Sequence, residues 1–158
     1  NTFSAVYDDG SMNEVKASLH YFPLENLALD GEVNYQFFRL VHFDKIYNKP
    51  LFRAGLGAKY TMLDKKLLLG FKGFFVSEKT TNSYEISNIP AIPYYTSTEN
   101  LNDKVSGFVD VNLSAEYKVH KNFSIFVLGN NLLNNKYETF KGYKVLGAQV
   151  TGGLKVTF

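Results

Sequence analysis

This chain of 158 residues has neither cysteine nor tryptophan. Without cysteine it has no disulfide framework, no thiolate nucleophile and no Cys-ligated zinc site. Its three histidines, His20, His42 and His120, are too widely and irregularly spaced for a metal cage. An excess of charge of one sign is also missing. The formal net charge of +2 argues against a nucleic-acid partner. No run reaches the ~18 apolar residues of a transmembrane helix. The start, Asn1-Thr2-Phe3-Ser4, lacks the charged-then-apolar layout of a signal peptide, so export would require a signal already removed. No G-x-S-x-G elbow occurs, and no Gly-rich segment leads into a helix to cradle phosphate. No segment carries a 3.6-residue period, so no substantial helix is expected.

Aromatics are plentiful: 14 Phe and 11 Tyr, too many for a disordered chain. One period dominates. Apolar residues recur at every second position in eight segments: Phe3–Tyr7, Val15–Tyr21, Leu27–Phe37, Phe52–Tyr60, Leu67–Phe75, Val109–Tyr117, Phe123–Gly129 and Leu146–Phe158. Period 2 marks strands with one apolar face. On that face no segment has a charged, amide, Ser or Thr side chain. The opposite face carries Glu14, Lys16, Asp30, Glu32, Arg53, Lys59, Lys72, Asp110, Glu116, Lys118 and Lys155, nearly balanced in sign. Most segments approach the 9–11 residues that a tilted membrane-spanning strand needs.

Alternation alone also suits a soluble sandwich or barrel with its apolar face inside. Three features favour the membrane. First, the links near 22–26, 63–66 and 120–122 are short, whereas those near 40–50, 77–106 and 131–144 are long. Outer-membrane barrels combine short periplasmic turns with longer extracellular loops. Second, Tyr21, Tyr60, Tyr117 and Phe158 sit near one set of strand ends, and Tyr7, Tyr35, Phe37 and Phe75 near the other, as two aromatic girdles would. Third, the chain stops on an aromatic within its last strand. The expected fold is an all-β antiparallel transmembrane β-barrel region over 1–158, with eight strands visible, in the outer membrane of a Gram-negative bacterium.

Candidate functional residues are few. His20 and Ser18 share a face, but a solvated histidine inside the barrel is the simpler reading. A hydrolase needs nucleophile, base and orienter within reach. No enzyme activity, metal or cofactor is expected. The longest connection, Ser77 to Ser106, holds Tyr84, Tyr94 and Tyr95 among Ser, Thr and Asn, a candidate loop for a ligand or partner. The run Gly129-Asn130-Asn131-Leu132-Leu133-Asn134-Asn135-Lys136-Tyr137 reads as a strand end followed by turns built on asparagine, which tolerates left-handed geometry.

Val109–Leu113, Asn122–Val127 and the run Gly129–Glu138 resemble the C-terminal strands of TonB-dependent outer-membrane receptors. So does the ending from Gly142-Tyr143 through Gly152-Gly153-Leu154 to Phe158. The family carries an N-L-x-N-x-x-Y segment before its last strand, matched here by Asn130, Asn131, Leu132, Asn134 and Tyr137. Leu154, Val156 and the terminal Phe158 resemble the signal read by the barrel-assembly machinery. The resemblance implies a 22-stranded barrel, a plug domain and energy coupling through TonB. Its partners would be outer-membrane lipid, the barrel-assembly machinery and, in a full receptor, the plug and TonB. Its cargo would be a scarce nutrient: a metal chelate, cofactor or glycan. This chain has room for eight strands and no plug, so it reads as the C-terminal part of such a barrel. Eight strands also allow a small closed barrel of structural or adhesive function.

Overall fold

The computed structural model describes residues 8–42, 44–87 and 96–158. Every regular element among them is a strand. Seven form one antiparallel sheet: β1 (Gly10–Leu24), β2 (Leu27–Leu40), β3 (Phe52–Met62), β4 (Leu67–Val76), β7 (Phe108–His120), β8 (Phe123–Asn130) and β11 (Gln149–Val156). They lie side by side in chain order, interrupted only where two hairpins project from one end. Among the described residues β1 and β11 are the two edges of the sheet. These seven strands correspond to the second through eighth alternating segments; the first, Phe3–Tyr7, lies outside the described residues.

The hairpins correct the expectation of two plain loops. Within 77–106, β5 (Lys79–Ser87) pairs with β6 (Thr96–Val105). Within 131–144, β9 (Glu138–Phe140) pairs with β10 (Tyr143–Lys144) around Gly142, whose φ of 81° suits glycine. Neither pair shows clean alternation in its sequence.

The register joins the alternating faces into continuous surfaces. Tyr35 pairs with Val15 and Phe52, Val33 with Ala17 and Ala54, and Leu56 with Gly31 and Gly73. Farther along, Phe71 pairs with Leu113, Leu113 with Gly129, and Gly129 with Val150. A single apolar surface therefore runs unbroken across all seven strands, and the charged positions share the other face.

Little of that apolar surface is covered. Among the described residues only Val105, at 3% exposure, and Pro50 are buried apolar residues, and neither lies on this face. Leu113 is 50% exposed, Val150 74% and Val156 55%. A soluble sandwich would place these side chains in a dry centre, gaining about 1.5–3 kcal/mol for each large one buried. Here they point outward together. The polar face is the more enclosed one, with Asp110 and Ser124 buried on it; Asn131 and Thr81, in the long connections, are buried too.

Candidate functional site

The polar face is a wall built by small-against-large pairing. Gly153 lies beneath the Phe126 ring, and a Cβ there would come within 2.5 Å of it. Gly55 and Gly57 leave similar room for Glu32 and Asp30. Across these gaps the charged groups meet. Lys155 on β11 reaches over β8 to Glu116 on β7 at 3.3 Å. Glu14 accepts hydrogen bonds from Asn34 at 2.6 Å and Gln36 at 2.9 Å. His20 Nδ1 lies 2.6 Å from Asp30 Oδ1. His20 makes no hydrogen bond to Ser18, so the structure does not join the two into a nucleophile–base pair. A groove of about 1010 Å³ runs along this wall, past Arg53, Lys59, Lys72 and Phe74.

The two ends of the sheet differ. At one end, tight turns link β1 to β2, β3 to β4 and β7 to β8. In the β3–β4 turn Leu63, Asp64 and Lys65 all take positive φ, near 55°, 54° and 65°, and Lys66 N donates to Leu63 O. At the other end, the long connections hold one another. Thr81 Oγ1 donates to Asn48 Oδ1 at 2.9 Å, and Asn48 N donates to Thr80 O. Lys79 donates to the Thr139 carbonyl and sits 4.8 Å from the Phe140 ring centre. Burial, aided by the Arg53 charge, lowers the Lys79 pKa. Lys141 pairs with Asp103 at 3.1 Å. At the same end His42 Nδ1 lies 2.8 Å from Asp8, whose side chain is buried.

Among the described residues, the asparagine-rich run is the most densely bonded segment of this end. Asn131 and Asn134 adopt φ of 49° and 53°, the left-handed geometry that asparagine tolerates. The Asn131 amide donates to the carbonyls of Asn135 at 2.8 Å and Leu146 at 2.9 Å, and its Oδ1 accepts from Asn135 N. Its backbone N–H donates to Asn112 Oδ1. Asn134 Oδ1 accepts from Ala148 N at 3.1 Å, with Gly147 leaving the space for it. Asn135 Nδ2 donates to Val109 O. Tyr137 stacks on Phe108, ring centres 3.6 Å apart and planes 2° from parallel, and its hydroxyl donates to Asp110 Oδ2 at 2.9 Å. Burial, then the Asp110 hydrogen bond and charge, push the Tyr137 pKa up to about 12. Asp110 is only 4% exposed, and Tyr137 is its one side-chain donor among the described residues. The run thus stitches the β8–β11 connection to the first half of β7.

Of the residues singled out from sequence, Asn131, Leu132, Asn134 and Tyr137 come together in this stitch. Leu132 N donates to Val111 O, and its side chain lies over Gly129. Asn130 ends β8, paired with Gln149. Leu154 and Val156 lie on the outer face of β11, opposite Ile125 and Phe123, and Phe158 follows fully exposed. Tyr84 pairs with Glu99 in the β5–β6 hairpin; Tyr94 and Tyr95 lie outside the described residues. Sequence reasoning missed Phe108, Asp110 and Asn112 as partners of the asparagine run. Their period-2 spacing puts them on one face, but nothing local ties them to residues some twenty positions on.

The aromatics at the looped end form a line. Phe37 and Tyr35 centroids are 4.4 Å apart, Tyr35 and Phe52 6.3 Å, and Phe52 and Phe75 6.0 Å. All four rings belong to the outer face.

No protein-family model matches the chain, and no curated protein sequence does. Solved structures do. The ferripyoverdine receptor of the outer membrane of Pseudomonas aeruginosa, bound to ferripyoverdine, superposes with a TM-score of 0.72 at 15% identity, covering 93% of this chain and 19% of that one. The siderophore receptor PiuA from Acinetobacter baumannii gives 0.71 at 13% identity, covering 96% and 22%. A mutant of the ferric enterobactin receptor PfeA from P. aeruginosa, in complex with enterobactin, gives 0.69 at 13% identity, covering 94% and 23%. At such identities the likeness is one of fold. The chain spans about a fifth of each receptor, and its fold is that of a wall segment from a larger β-barrel.

Proposed function

We propose that this chain is part of the wall of an outer-membrane receptor that takes up a scarce nutrient, with a metal chelate the favoured cargo. One observation carries the reading: the continuous outward apolar face, closed at its looped end by the line Phe37, Tyr35, Phe52 and Phe75. Strands with unpaired edges do not survive in hydrocarbon, so this sheet belongs to a closed barrel. Aromatic rings prefer the headgroup layer, and the line marks where hydrocarbon ends. The turned end then faces the periplasm and the looped end the exterior.

The ferric-chelate cargo is supported by the solved neighbours, which are siderophore receptors. The polar wall, with its balanced charges and Phe74 and Phe126, suits a plug packed inside. Energy coupling through TonB, insertion by the assembly machinery through Leu154, Val156 and Phe158, and residence among outer-membrane lipids follow from the same reading. The whole of 1–158 acts as barrel, and catalysis is not part of its role. A role for Tyr84, Tyr94 and Tyr95 in ligand contact belongs to this proposal.

The test is growth of a Gram-negative host lacking its own ferric-chelate receptors, under iron limitation. The protein carrying this chain restores growth on at least one ferric chelate, and loss of TonB abolishes that growth. Rescue that persists without TonB, or no rescue by any ferric chelate, overturns the proposed role.

A further inference from the structure

The backbone ladder breaks at one level near the looped end. The β4–β7 ladder ends at Val76 and Phe108, and the β5–β6 ladder begins at Lys79 and Val105. Ser77 and Glu78 on one side, and Ser106 and Gly107 on the other, belong to neither ladder. The β5–β6 hairpin is thus a sheet of its own, joined to the wall by two short links that lie side by side. Breaks at the ends of elements are where hinge motions are absorbed. Ser77 N donates to Phe52 O, which anchors the wall side of one link. In the other link Gly107 passes so close to Val76 O that a Cβ would lie 2.7 Å from it.

Contacts to both neighbouring connections hold the hairpin in place. On one side Asn48, with a φ of 59°, donates its N–H to Thr80 O at 2.7 Å and accepts at Oδ1 from Thr81 Oγ1 at 2.9 Å. On the other side Lys79 donates to the Thr139 carbonyl and lies over the Phe140 ring, and Lys141 pairs with Asp103 at 3.1 Å. Thr81 and Asp103 face each other in the β5–β6 register. One rung of the hairpin therefore carries a contact to each neighbour. Thr81 and Val105, both 3% exposed, make this base dry. We propose that the β5–β6 hairpin is a hinged arm latched on both sides, by Asn48 in the β2–β3 connection and by Thr139 and Lys141 in the β8–β11 connection. The shared rung couples the latches, so that release of one loosens the other. The purpose of the arm rests on the transport reading: at a mouth that admits cargo, its position sets the opening on this side.

The experiment is backbone hydrogen exchange with lysine acetylation, both read by mass spectrometry, on the intact protein carrying this chain in detergent. Lys141→Gln breaks one latch and speeds exchange of the Asn48 amide, which belongs to the other, about three-fold. Lys141→Arg leaves that amide at the wild-type rate. Asn48→Gly keeps the left-handed backbone but withdraws the Thr81 acceptor. It speeds acetylation of Lys79, on the opposite latch, about ten-fold relative to Lys65 in the distant β3–β4 turn. The Leu113 amide, in the wall, exchanges at the same rate in every variant. The arm is overturned by an Asn48 amide that is unprotected in the wild type or unmoved by Lys141→Gln. Lys79 acetylation unmoved by Asn48→Gly, or a Leu113 amide that speeds up by the same factor, overturns it too. These rates are read without cargo, so growth on ferric chelates judges the transport reading separately.

Discussion

The two faces of the sheet solve opposite problems. The outer face has no charged side chain along its seven strands except Arg39, at the looped tip of β2, and hides little of its apolar surface. The inner face carries eleven charged side chains besides His20 and His120, and ties many of them to neighbours, from His20–Asp30 at the turned end to Tyr137–Asp110 at the looped end. One surface is stabilised by its surroundings and the other by itself. A substitution should therefore cost most on the outer face when it adds charge, and most on the inner face when it removes a bond.

That contrast breaks most readily at mid-strand. Leu113→Arg places a cation at the middle of the outer face and costs about 2–4 kcal/mol in a bilayer. Thr151→Arg, on the inner face of β11, stays within about 0.5 kcal/mol. Urea unfolding of the protein in vesicles measures both, and equal costs would erase the distinction between the faces. Next comes Asn131→Ala, which removes three side-chain hydrogen bonds and costs about 2–4 kcal/mol. Asn131→Gly keeps the left-handed backbone and recovers only about 1 kcal/mol of that. Full recovery would make the residue a backbone device rather than a stitch.

Tyr137→Phe leaves the Asp110 carboxylate buried without its donor and costs about 1–3 kcal/mol. The pH dependence has a definite sign. The folded pKa of Tyr137 is raised to about 12 from the ordinary 10, so its contribution is complete below pH 10 and is lost as pH rises through 12. The wild-type protein thus loses stability across that window, and Tyr137→Phe removes that part of the slope. The smallest effect belongs to the ion pair across β8. Lys155→Gln costs below about 1 kcal/mol, and the difference vanishes in about 1 M salt. A larger cost that resists salt would mean that the wall is far drier than its exposure indicates.

The alternation in Val15–Tyr21 or Val109–Tyr117 announced strands and named the residues of each face before any neighbour was known, because side chains on a strand switch sides at every residue. The Asn131 and Asn134 turns were legible for a similarly local reason, as few other side chains accept that backbone. The β5–β6 hairpin was not legible. Lys79–Ser87 carries β-forming Thr, Tyr and Ile, yet only Tyr84 and Ile86 alternate with polar neighbours, too short a run to leave a period to read.

The sequence by itself determined that these strands have one apolar and one polar side, since that property needs only the backbone's own repeat. Only the tertiary structure decided which side is covered, how the registers merge seven stripes into one surface, and that Tyr137 closes on Phe108 and Asp110. Those choices depend on contacts between segments far apart in the chain, where distance in sequence carries no information about distance in space.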